Sequence, residues 1–149
     1  MKLEAAKSSP PHLPNESVQA DRFSKTRVAQ STALLEDYAE LISDLAASEG
    51  EARATDLARR LGVSHASAIK TVARLKRQGL VTSKPYRGIF LTPAGHNLAD
   101  KARTRHRLVV DFLTKLGVAA DVAEADAEGI EHYVSDETLR VFAGFLKRA

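Results

Sequence analysis

Residues 55–91 read TDLARRLGVSHASAIKTVARLKRQGLVTSKPYRGIFL and contain the strongest structural pattern in the chain. A short segment with one apolar face ends at Gly62, and Ser64 is a typical N-cap for the longer helix that follows. Two short β-like runs come next, at 80–83 and 88–91, with a proline-containing turn between them. Two helices joined by a three-residue turn and followed by a hairpin are the order of a winged helix-turn-helix domain.

Helical patterns flank this motif on both sides. Before it, apolar residues recur at helical spacing over 34–45. After it, a Thr-Pro pair opens a helix that is expected over 93–116, where a glycine follows. Two further helices are expected at about 121–134 and 136–147. The sequence therefore predicts a mainly α protein with an N-terminal winged helix-turn-helix domain and an all-helical C-terminal domain.

The first 30 residues differ from the rest of the chain. They hold three of the five prolines and few large apolar residues, which are scattered without a helical period. We therefore expect a flexible tail at 1–30. The remainder divides into a DNA-binding domain at 31–92 and a linker helix with a helical domain at 93–149.

Composition excludes several classes of protein. The chain has 149 residues, is 44% hydrophobic and contains no cysteine. This hydrophobic content is sufficient for a core, so a wholly disordered chain is excluded. Without cysteine, disulfides, thiolate zinc sites, iron–sulfur clusters and cysteine nucleophiles are excluded as well. The sequence contains neither a signal peptide nor a run of the about 18–20 apolar residues that cross a bilayer, so we expect a cytoplasmic protein without membrane contact.

The net charge of +3 conceals a strong segregation along the chain. Residues 49–92 carry nine Lys or Arg and three Asp or Glu, whereas residues 118–139 carry seven acidic residues and no Lys or Arg. Residues 31–48 are also acidic, with four Asp or Glu and no Lys or Arg. A basic centre between acidic blocks indicates an anionic partner in the middle and either a cation or simple solvation at the flanks.

The predicted second helix of the motif offers hydrogen-bond donors on its outer face, and two cations lie at the tip of the hairpin. Such side chains suit base edges and phosphates, and a helix N-terminus suits a phosphate. Alternatively, the same cations only solvate a surface. Because the order of elements favours DNA, we predict contacts to double-stranded DNA from Ser64, His65, Ser67, Lys70, Thr71, Arg74, Lys84 and Arg87.

Metal-ligand types recur at helical spacing in the acidic blocks. Glu128, Glu131 and His132 share one helical face at i, i+3 and i+4, and Asp37 and Glu40 form a second i, i+3 pair. Like charges at this spacing destabilise a helix by a few tenths of a kcal/mol, so a compensating cation is favoured. Oxygen ligands with one or two imidazoles fit Mn²⁺ or Fe²⁺ and also accept Zn²⁺. Carboxylates on a helix are often simply solvated, and the pattern alone leaves both interpretations open.

The chain from about residue 34 to residue 146 resembles the manganese transport regulators of the diphtheria-toxin-repressor family. The resemblance lies in DYAELI (37–42), LARRLGVSHASAIKTVARL (57–75), YRGIFLTPAG (86–95), RHRLVVDFL (105–113) and DAEGIEHYVS (126–135). It implies a helical C-terminal domain for metal binding and dimerisation, a homodimer on a palindromic operator, and repression of manganese-uptake genes.

The resemblance also implies a binuclear metal site. The ligands of the family fall on Asp37, Glu40, His106, Glu128, Glu131 and His132. Iron-sensing relatives tend to carry Met and Cys where Asp37 and Glu128 stand, so two Mn(II) ions per protomer are favoured and Fe(II) is the alternative. This agrees with the preference of the oxygen ligands for a hard cation.

Two other functions are compatible with parts of the pattern. A winged-helix regulator that responds to a small organic ligand would not need the metal. A carboxylate-rich di-metal centre could instead belong to an enzyme, but the sequence shows no candidate nucleophile and the basic motif would have no use, so we expect no enzyme. The last helix carries an apolar side that either completes the core or, as a two-fold operator favours, forms a dimer interface.

Overall fold

The computed structural model describes residues 10–148. Within this part of the chain, the helices and strands confirm the mainly α fold class. They are α1 (Glu16–Glu49), α2 (Ala54–Leu61), α3 (His65–Arg77), β1 (Val81–Ser83), β2 (Ile89–Leu91), α4 (Pro93–Leu116), α5 (Ala120–Ile130) and α6 (Asp136–Arg148).

The C-terminal half of α1, the helix pair α2–α3 and the hairpin β1–β2 enclose one core. Leu57 of α2 and Leu75 of α3 pack in this core against α1, and the hairpin completes the core. The strands pair antiparallel, with Val81 opposite Leu91, and the Ile89 N–H donates to the carbonyl of Ala52 at 2.7 Å. This bond joins the hairpin to the segment between α1 and α2, so the wing is held beside α3.

Helix α4 connects this unit to a second, smaller core. Its first turn lies against the wing, where Gly95 is buried, and the helix continues along α1. Its C-terminal half packs against α5 and α6 through Val109, Ala127 and Leu139. Phe112 stacks on Phe142 with ring centroids 3.9 Å apart. One continuous helix therefore takes part in both units.

The predicted helix ends are largely confirmed. The Thr92 side chain caps α4 by accepting from the Gly95 N–H at 3.2 Å, and α4 ends before Gly117 as expected. Ser64 caps α3 by accepting from the Ser67 N–H at 3.0 Å. Helix α5 is shorter than expected, because it ends at Ile130 and the chain turns before α6.

The expectation of a flexible tail at 1–30 is wrong from residue 16 onward, and residues 1–9 of it lie outside the described residues. Residues from Glu16 onward belong to α1. The Asn15 side chain caps the helix by accepting from the Ser17 N–H at 2.9 Å, and neither glycine nor proline interrupts the sequence before Gly50. This part of α1 is mostly exposed, so it has no buried stripe that a periodicity search could detect.

None of the helices between residues 10 and 148 combines the length and the apolarity that a bilayer crossing requires.

Gly95 offers a test of the contact between α4 and the wing. A Cβ at this position would lie 2.1 Å from the Leu80 carbonyl oxygen, which is backbone and cannot rotate away. We expect Gly95→Ala to lower the free energy of unfolding by about 1–3 kcal/mol, as overpacking does. Urea unfolding of the metal-free protein measures this. Gly144→Ala in α6 is the matched control, because its Cβ would meet its nearest neighbour at an ordinary 3.6 Å; equal losses in both variants would contradict the prediction.

Candidate metal centre

The predicted metal ligands meet where three helices come together. Helix α1 supplies Asp37 and Glu40, α4 supplies His106, and α5 with the turn after it supplies Glu128, Glu131 and His132. They converge because α4 packs against both α1 and α5. Residues far apart in the chain are thereby brought into contact.

Four of these residues form the tightest group. One ligand atom from each of Asp37, Glu128, Glu131 and His132 lies within 4.8 Å of the other three. His132 Nε2 is 3.2 Å from Asp37 Oδ1 and 3.3 Å from Glu131 Oε1. The Glu131 side chain is 1% exposed, so this group is centred on a buried acid.

His106 extends the group on the other side of Glu131. Its Nδ1 lies 2.6 Å from Glu131 Oε2 and 3.5 Å from Glu128 Oε1, and its Nε2 lies 2.7 Å from Glu124 Oε2. The two oxygens of Glu131 therefore face two different histidines. Glu40 lies at this end, where it lines a cavity of about 260 Å³ together with His106 and Glu124.

Sequence reasoning missed Glu36, whose carboxylate contacts the Nδ1 side of His132, and Arg105, which bonds to Glu36. The Glu36 side chain is only 5% exposed, and its Oε2 accepts a hydrogen bond from Arg105 and lies 3.0 Å from His132 Nδ1. This contact occupies Nδ1 and turns Nε2 of His132 toward Asp37 and Glu131. A carboxylate that orients a histidine in this way is a usual partner of metal-bound imidazoles. Glu36 precedes Asp37 directly, and no sequence signal separates its role from that of a solvated acid.

Burial and the proximity of other carboxylates raise the pKa values of two acids of the site. Burial raises the pKa of Glu131 to about 7, and Glu128 adds to this while His106 opposes it. Burial also raises the pKa of Glu40, with the charges of Glu128 and Asp37 acting in the same direction. Because ionised carboxylates repel one another in a partly buried space, each favours its neutral form.

The pKa values of the two histidines are raised as well, and for an imidazole a raised pKa favours the charged form. The neighbouring Asp37 and Glu36 carboxylates raise the pKa of His132 to about 10 against the effect of burial. For His106, burial lowers the pKa, but the hydrogen bond to Glu124 and the charge of Glu131 outweigh it and the pKa is raised. Without a metal ion, the proton on the His132 imidazole thus offsets part of the negative charge of the acids at neutral pH.

Two unpaired atoms test whether these residues fit a metal ion. Glu131 Oε1 and His132 Nε2 are both buried and have no hydrogen-bond partner among the described residues, although they lie 3.3 Å apart. Ligand atoms that are about 2.0–2.2 Å from a divalent ion lie about 3 Å from one another in an octahedral arrangement. Carboxylates with imidazoles also suit manganese and iron better than softer metals. The residues therefore fit a divalent cation.

The predicted DNA contacts lie on α3 and on the wing. His65, Lys84 and Arg87 line the groove between the two elements, together with Arg53, Lys76 and other residues that the sequence pattern did not single out. Lys84 and Arg87 delimit the turn of the wing, where the Arg87 N–H donates to the Lys84 carbonyl at 3.1 Å.

The other predicted DNA contacts adjoin α1. Ser67, Lys70, Thr71 and Arg74 line a second groove, between α3 and α1. Ser64 uses its side chain to cap α3, and Arg74 donates to the Ser31 hydroxyl of α1. Ile69 and Ala73 of α3 are exposed, because the buried face of this helix runs through Ala68, Val72 and Leu75.

Comparison with known proteins identifies both units of the chain. A family model described as iron dependent repressor, N-terminal DNA binding domain, matches residues 31–89. A second model, iron dependent repressor, metal binding and dimerisation domain, matches residues 92–149. The transcriptional regulator MntR of Escherichia coli O157:H7 is 46% identical over 136 residues, which are 91% of this chain and 88% of that protein. The HTH-type transcriptional regulator MntR of Lysinibacillus sphaericus is 39% identical over 104 residues, or 70% and 75% of the two chains.

Solved structures of similar proteins show the same architecture. A manganese-dependent transcriptional repressor in complex with manganese superimposes on 76% of this chain with a TM-score of 0.68 at 32% identity. The manganese regulator SloR superimposes on 77% with a TM-score of 0.67 at 30% identity. This chain spans about half the length of these two solved chains, 52% and 54% respectively.

A winged-helix DNA-binding unit joined to a helical metal-binding and dimerisation unit defines a metal-responsive transcriptional regulator, which is not an enzyme. The chain belongs to the iron-dependent repressor family, and its resemblance to the manganese transport regulators of that family is confirmed. A divalent metal, DNA and a second subunit are accordingly its partners.

The raised pKa values at the cluster predict that metal binding releases protons. At neutral pH the pKa values of about 10 for His132 and about 7 for Glu131 leave both groups wholly or partly protonated, whereas a metal ion requires the deprotonated forms. We expect Mn²⁺ to release at least one proton per protomer at about pH 7 and to bind more weakly as the pH falls from about 8 to about 6. Calorimetric titrations in buffers with different ionisation enthalpies measure the release. Equal heats in all buffers would contradict the prediction.

Glu36→Gln tests the support behind His132. Glutamine retains the size of the side chain but not the charge that holds Arg105 and His132 Nδ1. We expect the affinity for Mn²⁺ to fall about 10–100-fold, as it does when a partner behind a metal ligand is removed. Glu49→Gln, at the exposed end of the same helix, is the control. If circular dichroism shows both variants folded and both bind Mn²⁺ equally, Glu36 has no such role.

Proposed function

We propose that the protein is a manganese-dependent transcriptional repressor that binds operator DNA when Mn(II) is bound and represses genes for manganese uptake. The observation that carries this proposal is the buried Glu131, whose carboxylate joins His106 of α4 to the group formed by Asp37 of α1 and His132. The manganese-dependent relatives support Mn(II) as the effector. Fe(II) is the alternative metal, because the same oxygen and nitrogen ligands accept it.

The ligands that we propose are those predicted from the sequence. They are Asp37, Glu40, His106, Glu128, Glu131 and His132. Two ions per protomer are supported by the two faces of Glu131, since its Oε1 lies near His132 and its Oε2 near His106. Bound Mn(II) would supply positive charge where carboxylates from different helices otherwise repel one another.

The position of the proposed ligands supports a mechanism by which metal binding strengthens DNA binding. Asp37 and Glu40 lie on α1 beside Tyr38 and Ile42, which belong to the core that holds α3. The remaining ligands lie on α4 and α5 of the other unit. Residues that hold a cation jointly thus favour one arrangement of the two units. If that arrangement binds DNA more tightly, the metal and DNA increase each other's affinity, and a tenfold increase requires only about 1.4 kcal/mol.

The DNA contacts remain those proposed from the sequence, on α3 and the wing of the domain at residues 31–92. The domain at 93–149 contributes α6 to a homodimer. Phe145 and Val141 of α6 are exposed apolar residues of the single chain, at 39% and 60% of their surface. A two-fold dimer would place two copies of α3 on the half-sites of a palindromic operator. Since chromosomal DNA is the partner, we place the protein in the cytoplasm.

The test uses an operator duplex that the protein itself selects from random DNA in the presence of Mn²⁺. Fluorescence anisotropy would follow binding during titrations with Mn²⁺, Fe²⁺ and Zn²⁺, and after addition of a chelator. We expect Mn²⁺ to increase the affinity at least tenfold and the chelator to reverse it. Binding that is the same with Mn²⁺ and with chelator would favour a regulator that responds to an organic ligand.

Glu131→Gln should abolish the effect of Mn²⁺ on DNA binding. The variant retains volume in a buried position but loses the charge that faces both histidines. We expect the Mn²⁺-induced increase in operator affinity to disappear while the metal-free affinity stays unchanged. Glu137→Gln, an exposed acid in the first turn of α6, is the matched control. If Glu131→Gln responds to Mn²⁺ as the parent does, Glu131 is not a ligand that the response requires.

A further inference from the structure

The N-terminal half of α1 has no role in either the core or the metal centre. Between Glu16 and Leu34, most residues are exposed, and the first buried residue of the helix is Leu35. Yet this segment continues a helix whose next turns pack against the winged-helix core. Its position relative to α3 is therefore set by the fold.

One face of this segment meets α3. Arg74 of α3 donates to the Ser31 hydroxyl. About one and two turns after Ser31, Leu34 and Tyr38 line the groove against Lys70 of α3. The side of α1 that carries Ser31 is therefore the side that points along α3.

The same side of the helix continues toward its N-terminus with polar and small residues. Residues at i−4, i−7 and i−11 from a given position lie on one helical face, one above the other. For Ser31 these residues are Arg27, Ser24 and Ala20, and all of them are exposed. The first two offer hydrogen-bond donors, and the alanine adds no bulk that would keep a ligand away.

The charge of this region suits an anion. Residues 22–35 contain three basic residues and no acidic one. The groove that continues from this face also contains Lys70, Arg74 and Arg77 of α3. Arginine and serine side chains are typical phosphate contacts, which position a protein on a duplex without reading its sequence.

We propose that the polar face formed by Ser24, Arg27 and Ser31 binds the phosphate backbone of the operator, next to the segment that α3 reads. This inference rests on the proposed function, because it requires that α3 lies in the operator. The rise from Ser24 to Ser31 is about 10 Å, and a duplex presents about six phosphates over that length. The face thus lengthens the DNA-binding surface beyond α3 and the wing.

The two arginines of this segment provide a matched pair for the test. Arg27 shares the face of Ser31, whereas Arg22, nine residues before Ser31, lies on the opposite side of the helix. Both are exposed, and neither forms an ion pair within residues 10–148. Arg27→Gln and Arg22→Gln therefore remove the same charge from the same helix at different angles.

The experiment measures operator affinity of the full chain with saturating Mn²⁺ over a series of salt concentrations. For Arg27→Gln we expect affinity to fall about three- to tenfold and the slope of log K against log salt to become shallower by about 0.9, the value of one phosphate contact. We expect Arg22→Gln to behave as the parent. Trimming the duplex to the shortest length that the parent still binds should reduce the difference between the two variants.

Three results would overturn the proposal. Equal slopes for the parent and Arg27→Gln would show that no phosphate contact is lost. Equal losses in both variants would show only a general effect of net charge. A change in the molar mass of the metal-loaded Arg27→Gln variant, measured by light scattering, would assign the face to contacts between copies of the chain. If the parent itself shows no Mn²⁺-dependent binding, the proposed function fails, and this outcome is distinct from the other three.

Discussion

The burial of the Glu131 carboxylate between two histidines is the constraint on which the rest of the structure depends. An isolated carboxylate in such a position is costly, and proteins compensate with protons, partners or metal ions. Here His106 lies on one side of Glu131 and His132 on the other, and Glu36 with Arg105 supports His132 from behind. All of these contacts lie where α1, α4 and α5 meet. The junction of the two units is thus also the place where charge must be balanced.

The proposed coupling between metal and DNA depends on two helices that belong to both units. Helix α1 presents Asp37 to the metal centre and Tyr38 to the core beneath α3, in consecutive residues. Helix α4 packs against the wing at Gly95 and carries His106 about three turns later. A change at the junction therefore acts on elements that also hold α3 and the wing, without any intervening loop.

The two acidic blocks of the sequence meet at this junction, whereas the basic block lies elsewhere in the fold. The acidic block at 31–48 supplies Glu36, Asp37 and Glu40 to the cluster, and the block at 118–139 supplies Glu124, Glu128 and Glu131. The basic block between them forms α3 and the wing. Other acids of the second block, such as Asp121 and Asp136, are exposed and belong to first turns of helices, where the helix dipole favours them.

Local patterns were enough to predict the winged helix-turn-helix order and the capped ends of α3 and α4, because helical periodicity, N-caps and C-terminal glycines act over a few residues. The same patterns offered Asp37, Glu131 and His132 as candidate metal ligands, and their role in binding a metal stays a prediction. The helical nature of residues 16–30 was not predictable in the same way, since an exposed helix has no buried stripe. Only the tertiary structure decided that Glu36 is buried with Arg105, that Glu124 reaches His106, and that Ser31 meets Arg74. These contacts join residues from different helices, and their geometry depends on how those helices pack. The packing of one helix against another cannot be deduced from the spacing of residues within a single segment.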